Sequence, residues 1–202
     1  MKITFHGGAK SVTGANHLLE VDGLKILVDC GMFQGVQFCE NCNYDEFPYD
    51  PAEIDYVFIT HAHIDHIGRI PKLVKDGFRG KIITHNVTVE LSMISLRDSA
   101  RIVKEEAKRK GLEPFYTRED VEITYNYWQG HEYGDVIDLD GKGRVEIFNA
   151  GHVLGSCMYK FTFGSKTISF TGDLGNVPAP LIPPPDVLGH TNYLVIESVY
   201  GD

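Results

Sequence analysis

No run of about 18 apolar residues occurs in the sequence, so no segment reads as a membrane-spanning helix. The opening residues, MKITFHGG, are too few and too polar for a secretory leader. Cysteine is scarce. Four in 202 residues, with no recurring framework, exclude a disulfide-dense scaffold and read as reduced thiols in a cytoplasmic protein. Positive charge is also short: 19 Lys and Arg stand against 28 Asp and Glu, a formal net charge of −9. That balance argues against a general nucleic-acid-binding surface, unless bound cations offset some of the acids locally. Internal repeats are absent. What is present is an ordinary apolar share, 43%, on a chain long enough for one domain with a sizeable core.

The order of patterns is strands, then helices, then strands. KITFH alternates; HLLEVD and LKILVD flank a turn at Gly23. IDYVFIT is a continuous apolar run, expected as a buried strand. IGRIPKLVKDG reads as a short helix with Pro71 in its first turn and Gly77 at its end. After the strand GKIITH, residues Val87 to Lys110 carry a long helical pattern that stops at Gly111. YTREDVEITYNYW reads as a second helix, capped by Thr117 with acids in its first turn. The strands DVIDL, GRVEIFNAGH, CMYKFTFG and SKTISFTGD follow, then the connector VPAPLIPPP and a last strand, NYLVIES. The expectation is an α/β layered domain with mixed sheets and chemistry at the strand ends.

One cluster stands out. In ITHAHIDHIG, His61 and His63 lie two apart in an extended segment and so point to the same side, where two imidazoles can grip one metal ion. Asp65 and His66 follow where the chain bends into a helix, and can turn toward a neighbouring ion. Zinc and similar borderline metals favour imidazole and carboxylate donors. Three further candidates also follow strands: Asp29 after LKILV, His152 in GHVLGS and Asp173 in FTGDLG. Each alone reads as a turn residue; together with HAHIDH they are expected to converge.

The set VDCG, THAHIDHIGR, AGHVLGS and FTGDLG resembles the four metal-site motifs of the metallo-β-lactamase fold. The ending IESVYGD, with SVTGANHLLEVDGLKILVDCGMFQG and FYTREDVE, is similar to the β-CASP branch of RNA-processing nucleases, in particular its bacterial and archaeal stand-alone members. The resemblance implies an αββα sandwich. Residues 1–202 would be its N-terminal part, without the β-CASP cap and the closing C-terminal elements. It implies two zinc ions, the first held by His61, His63 and His152, the second by Asp65 and His66, with Asp173 bridging them. Asp29 would orient ligands by hydrogen bonds. A hydroxide between the ions would attack phosphorus in line, and Glu197 would help the leaving oxygen accept a proton. In that branch the second ion takes a further His from beyond the cap. This portion alone is therefore expected to cut RNA weakly or not at all. The implied partner is single-stranded RNA, and a half domain with exposed apolar surface is expected to self-associate, as a homodimer for instance.

Two other readings compete: a thioester or lactone hydrolase on the same fold, and a non-catalytic assembly subunit. The IESVYGD ending and the long middle helices favour the nuclease; the presence of every N-terminal ligand disfavours the subunit. Several features are set aside. Cys39-Glu40-Asn41-Cys42 lacks a second pair for a zinc ribbon, and GGAKS lacks the spacing of a phosphate loop. Trp128 with Tyr125 and Tyr127 reads as a buried aromatic cluster, and Lys104 to Lys110 as a solvated helix face. His6, His17, His85, His131 and His190 receive no metal role, although His17 is the candidate for an orienting contact.

Overall fold

Alternating apolar residues at the front of the chain build a six-stranded sheet. The computed structural model describes residues 1–35, 40–199 and 201. The first sheet contains β1 (Lys2–Gly7), β2 (Asn16–Val21), β3 (Leu24–Val28), β4 (Tyr56–Phe58), β5 (Lys81–His85) and β6 (Trp128–His131), in that spatial order. β1 to β3 are antiparallel, and β3 to β6 are parallel. Asp22 and Gly23, both at positive φ, turn β2 into β3 with the hand that matches strand twist.

The second sheet is β7 (Val136–Asp138), β8 (Arg144–Asn149), β9 (Cys157–Phe163), β10 (Lys166–Phe170) and β11 (Tyr193–Val195), in spatial order β11-β10-β9-β8-β7. Only the β10–β11 pair is parallel. The helices are α1 (Ile64–Ile67), α2 (Ile70–Lys75), α3 (Asn86–Lys110) and α4 (Arg118–Thr124). α3 ends on Gly111 in the left-handed region, and α4 starts with a reciprocal Thr117–Asp120 capping box.

The period of two along the strands divides the core. Leu27, Val57, Ile59 and Ile82 face the helices, with Leu73, Leu96, Val103 and Val121. Ile26, Val28, Phe58 and Ile83 face the second sheet, against Val145, Ile147, Tyr159, Phe161 and Phe170. Phe161 meets Phe58 edge-on at 4.9 Å and Phe170 at 5.8 Å. Three layers of the expected αββα sandwich are therefore present, one of helices and two of sheet. The outer face of the second sheet is crossed instead by irregular chain: Asn149 donates to the Pro184 carbonyl at 3.0 Å and Lys160 to that of Leu188 at 3.0 Å. Among the described residues no helix follows β8.

Local expectations fail at three places. The second helix does not reach Trp128. α4 stops at Thr124, a single 3-10 turn covers Tyr125–Tyr127, and Trp128 opens β6. Parallel pairing with β5, Ile82 opposite Trp128, satisfies the backbone there and overrides the helical pattern. Tyr125 is exposed rather than part of a buried cluster, whereas Tyr127 and Trp128 pack against the helical core. The last strand is also short, Tyr193–Val195, because β10 ends at Phe170 and offers no partner further on. Cys30 and Cys157 are free and buried, but Cys42 is disulfide-bonded, contrary to four reduced thiols. Cys39 lies outside the described residues. No described helix is long and apolar enough to cross a membrane.

Phe161 fills the centre of the inter-sheet core with 0% exposure. Phe161→Ala is expected to lower stability by about 3–5 kcal/mol, measured by urea unfolding. A loss below about 1 kcal/mol would mean that this ring does not hold the sheets together.

Candidate metal centre

β3 and β4 run side by side and release their chains at the same edge of the sheet. β3 ends into Asp29, which adopts φ +63, a left-handed conformation that Asp tolerates better than most residues. β4 runs on through Ile59 and Thr60 to His61. His63 is extended at φ −72, ψ 146 and opens α1, whose first turn carries Asp65 and His66. Backbone bonds lock the two loops together: Cys30 N–H donates to the His66 carbonyl at 2.8 Å and Met32 N–H to that of Ile64 at 3.0 Å. Gly31 is required here, since a Cβ would stand 1.6 Å from the Asp65 carbonyl oxygen.

The other side chains arrive from the second sheet. His152 follows β8, and Asp173 follows β10. Their loops touch: Gly175 N–H donates to the Ala150 carbonyl at 3.0 Å, and a Cβ on Gly175 would lie 1.7 Å from the Gly151 oxygen.

Donor atoms of His61, His63, His152 and Asp173 all lie within 4.8 Å of one another. His61 Nε2 is 2.9 Å from His63 Nδ1, and His152 Nε2 is 3.4 Å from the same atom. Asp173 Oδ2 is 3.7 Å from both His61 Nε2 and His152 Nε2. Four donors placed tetrahedrally at about 2.0–2.1 Å from one ion stand about 3.3 Å apart, so these separations fit a single metal ion. The other oxygen of Asp173, Oδ1, is 3.4 Å from His66 Nε2, and Asp65 Oδ2 is 3.8 Å from that nitrogen. Asp173 thus turns one oxygen to each of two neighbouring donor groups.

Behind the donors, Asp29 is 1% exposed. It accepts from Thr60 N–H and from the Thr60 hydroxyl, each at 2.8 Å, and contacts His66 Nδ1 at 2.8 Å. Because the Thr60 proton goes to Asp29, the Thr60 oxygen is free to accept from His61 Nδ1–H at 3.0 Å. That assignment leaves the His61 Nε2 lone pair facing the cluster. Sequence reasoning missed Thr60. Alternation puts its side chain opposite that of His61 in a strand, and only the turn after β4 brings the hydroxyl back to the ring.

Burial, reinforced by the neighbouring imidazoles, holds His61 well below the usual histidine pKa, so it is neutral and able to ligate. Burial also lowers His152, against the pull of Asp173. Burial raises the Asp173 carboxyl, with His66 and His152 opposing. His66 goes the other way. Burial disfavours its charged form, but the Asp29 carboxylate and its hydrogen bond, with Asp173 and Asp65, outweigh burial and raise it to about 9.

A cleft of about 610 Å³ opens beside the cluster, lined among others by Asp29, His66, Asp173, Lys10, His17 and Glu197. Glu197 Oε1 accepts the Leu174 N–H at 2.6 Å, which ties it to the residue after Asp173. His17 makes no hydrogen bond to a candidate ligand. Its ring packs between Phe5 and Phe170, and its Nδ1 is buried without a partner among the described residues. His85 and His131 pair instead with Glu132 and Asp135.

A sequence profile of the metallo-beta-lactamase superfamily matches residues 14–198. Ribonuclease TTHA0252 of Thermus thermophilus is 38% identical across 100% of this chain and 44% of its own length. Transcription termination factor FttA of Methanocaldococcus jannaschii is 28% identical over 100% of the chain and 32% of its own. Endoribonuclease YSH1 of Saccharomyces cerevisiae is 26% identical over 96% of the chain and 26% of its own. The chain therefore spans less than half the length of these curated relatives. Among solved structures, a protein of unknown function from Enterococcus faecalis aligns with TM-score 0.54 at 21% identity, over 85% of this chain and 43% of that one. A metallo-beta-lactamase mutant from Cronobacter sakazakii gives 0.51 at 24%, over 85% and 62%. These two likenesses establish the fold.

In metal-free protein the folded His66 pKa, about 9, lies above its ordinary 6.5. The His66–Asp29 contribution to stability is therefore complete below about pH 6.5 and disappears as pH rises through about 9. Urea unfolding of metal-stripped wild type and Asp29→Asn should show a gap that narrows over this window by up to about 3 kcal/mol. A gap that stays constant with pH would contradict the charge pairing.

Proposed function

Because the chain belongs to the metallo-beta-lactamase superfamily, we propose that it is the metal-holding portion of a zinc-dependent ribonuclease of the β-CASP type. The observation that carries the proposal is the meeting of His61, His63, His152 and Asp173, with the second Asp173 oxygen turned to His66. The first four would hold one zinc ion; Asp65, His66 and the shared Asp173 would hold a second. The names of two relatives, a ribonuclease and an endoribonuclease, support RNA as the substrate.

When bound, zinc supplies a water acidified enough to react near neutral pH and positive charge for phosphoryl oxygens. The chain's own residues do the rest. His61 presents a neutral Nε2 because Thr60 fixes its tautomer and burial excludes the proton. His66 carries a proton at neutral pH in the metal-free state and must release it in order to ligate, so loading couples to proton release. The cleft seats the phosphodiester, and Lys10, the one Lys or Arg side chain lining it among the described residues, pairs with a phosphate oxygen. Glu197 also lines the cleft; its Oε2 is the less engaged oxygen and would carry a proton to the leaving group. In this reading the substrate is single-stranded, the compartment is the cytoplasm and the exposed apolar residues near β11 invite self-association. Cleavage by these 202 residues alone is weak in this reading, because they span only 44% of the length of the Thermus thermophilus ribonuclease.

Elemental analysis of purified protein should find zinc, and His61→Ala should lose it together with any RNA cleavage, by about 100-fold or more. A folded wild type without affinity for zinc would end the metalloenzyme reading. Hydrolysis of a generic thioester without hydrolysis of RNA, assayed on the full-length parent, would replace the nuclease with a small-molecule hydrolase.

A further inference from the structure

His152 differs from the other imidazoles in how it is aimed. The His61 ring is held by Thr60, and the His66 ring by Asp29. His63 opens a helix, which sets its backbone. His152 sits on no helix or strand, and among the described residues its ring makes no hydrogen bond outside the cluster. Its direction is therefore set by the backbone of the turn between β8 and β9.

That turn is organised around Ser156, which is 1% exposed. The Ser156 hydroxyl oxygen accepts the N–H of His152 at 3.0 Å and that of Val153 at 3.2 Å. Its N–H donates to the Val153 carbonyl at 3.0 Å, and its carbonyl accepts Ala150 N–H at 3.0 Å and the Tyr133 hydroxyl at 3.2 Å. The flanking residues are tied down as well. Thr88 donates to the Gly155 carbonyl at 2.6 Å, and Cys157 N–H donates to the Thr60 carbonyl at 2.7 Å. The last bond joins the turn to the residue that orients His61.

We propose that Ser156 is a positioning residue of the metal centre: by accepting two successive backbone N–H groups, its hydroxyl holds the turn that points His152 Nε2 at His63 and Asp173, and so sets metal affinity. The inference rests on the reading of His152 as a ligand. A methyl group in place of the hydroxymethyl leaves the part-buried His152 and Val153 N–H groups without that acceptor, and the turn must shift for water to replace it. Orienting contacts of this kind change metal affinity by about 10–100-fold in general.

The test compares the 202-residue chain with Ser156→Ala, Ser156→Thr and Thr124→Ala. Thr124 bonds within the helical layer, to the Val121 carbonyl and the Trp128 indole, so its loss is a purely structural control. Zinc affinity is read by competition with a chelator of known strength, the ligand field by the visible absorption of cobalt(II)-loaded protein, and fold stability by thermal melting of the metal-free form. Ser156→Ala should bind zinc about 10-fold more weakly with an altered cobalt spectrum, Ser156→Thr should stay near wild type, and Thr124→Ala should lose stability with unchanged affinity. If Ser156→Ala does not fold, Ser156→Cys replaces it, since a thiol is a weaker acceptor, and the same readouts apply. A folded Ser156 variant with wild-type affinity and spectrum overturns the proposal. Wild-type protein whose zinc binding is unaffected by His152→Ala overturns the ligand reading itself, and the positioning role with it.

Discussion

A buried carboxylate anchors the architecture of the site. Asp29 is removed from water, and a charge so placed is tolerated only when hydrogen-bonded and paired. Its partners are Thr60, through both N–H and hydroxyl, and the His66 ring. One side chain thereby joins the end of β3, the end of β4 and the first turn of α1. The left-handed backbone at Asp29 and the absent Cβ at Gly31 are the local conditions that let β3 turn beneath that helix. Through Thr60 the same carboxylate reaches the His61 ring, so it governs the proton placement of two imidazoles at once.

The sheets make this convergence possible. β3 and β4 are parallel, so Asp29 and His61 follow their C-terminal ends at one edge. His152, Asp173 and Glu197 likewise follow the C-terminal ends of β8, β10 and β11 in the second sheet. Aromatic packing between the sheets, centred on Phe58, Phe161 and Phe170, fixes the distance between the two sets of loops. A rigid, close-packed core is what turns four separate loops into donors a few ångströms apart. Where the chain has no neighbouring element, as at the outer face of the second sheet, proline-rich irregular backbone takes over, and buried Asn149 satisfies its carbonyls.

Charge gives the cluster its chemical character. Burial of the His61 ring, reinforced by the neighbouring imidazoles, keeps it neutral, while Asp29 draws a proton onto His66 a few ångströms away. Two rings five residues apart thus have opposite tendencies, set by the 2.8 Å contact with Asp29 that His66 makes. The chain's overall acidity does not extend to a cation-free cleft, because Lys10 lines it.

Much of this was legible in the residues alone. The H-x-H-x-D-H spacing after an apolar run states that side chains with donor atoms leave a buried strand together, because extended backbone has a period of two. The Gly-flanked His152 and Asp173 were visible as strand-end residues, and helix limits such as Gly111 and Thr117 follow from capping chemistry. Position in the chain could not show that Trp128 trades a helical pattern for a strand, because that depends on the open edge of β5. Nor could it show that Thr60 faces both Asp29 and His61, that His17 turns to phenylalanines rather than to donors, or that Ser156 braces the His152 turn. The sequence by itself determined which donors exist and which local elements deliver them, since those follow from backbone periodicity and residue chemistry. Only the tertiary structure decided how the donors share oxygens, protons and orienting partners, since those depend on distances between segments up to about a hundred residues apart, set by packing of one sheet on the other.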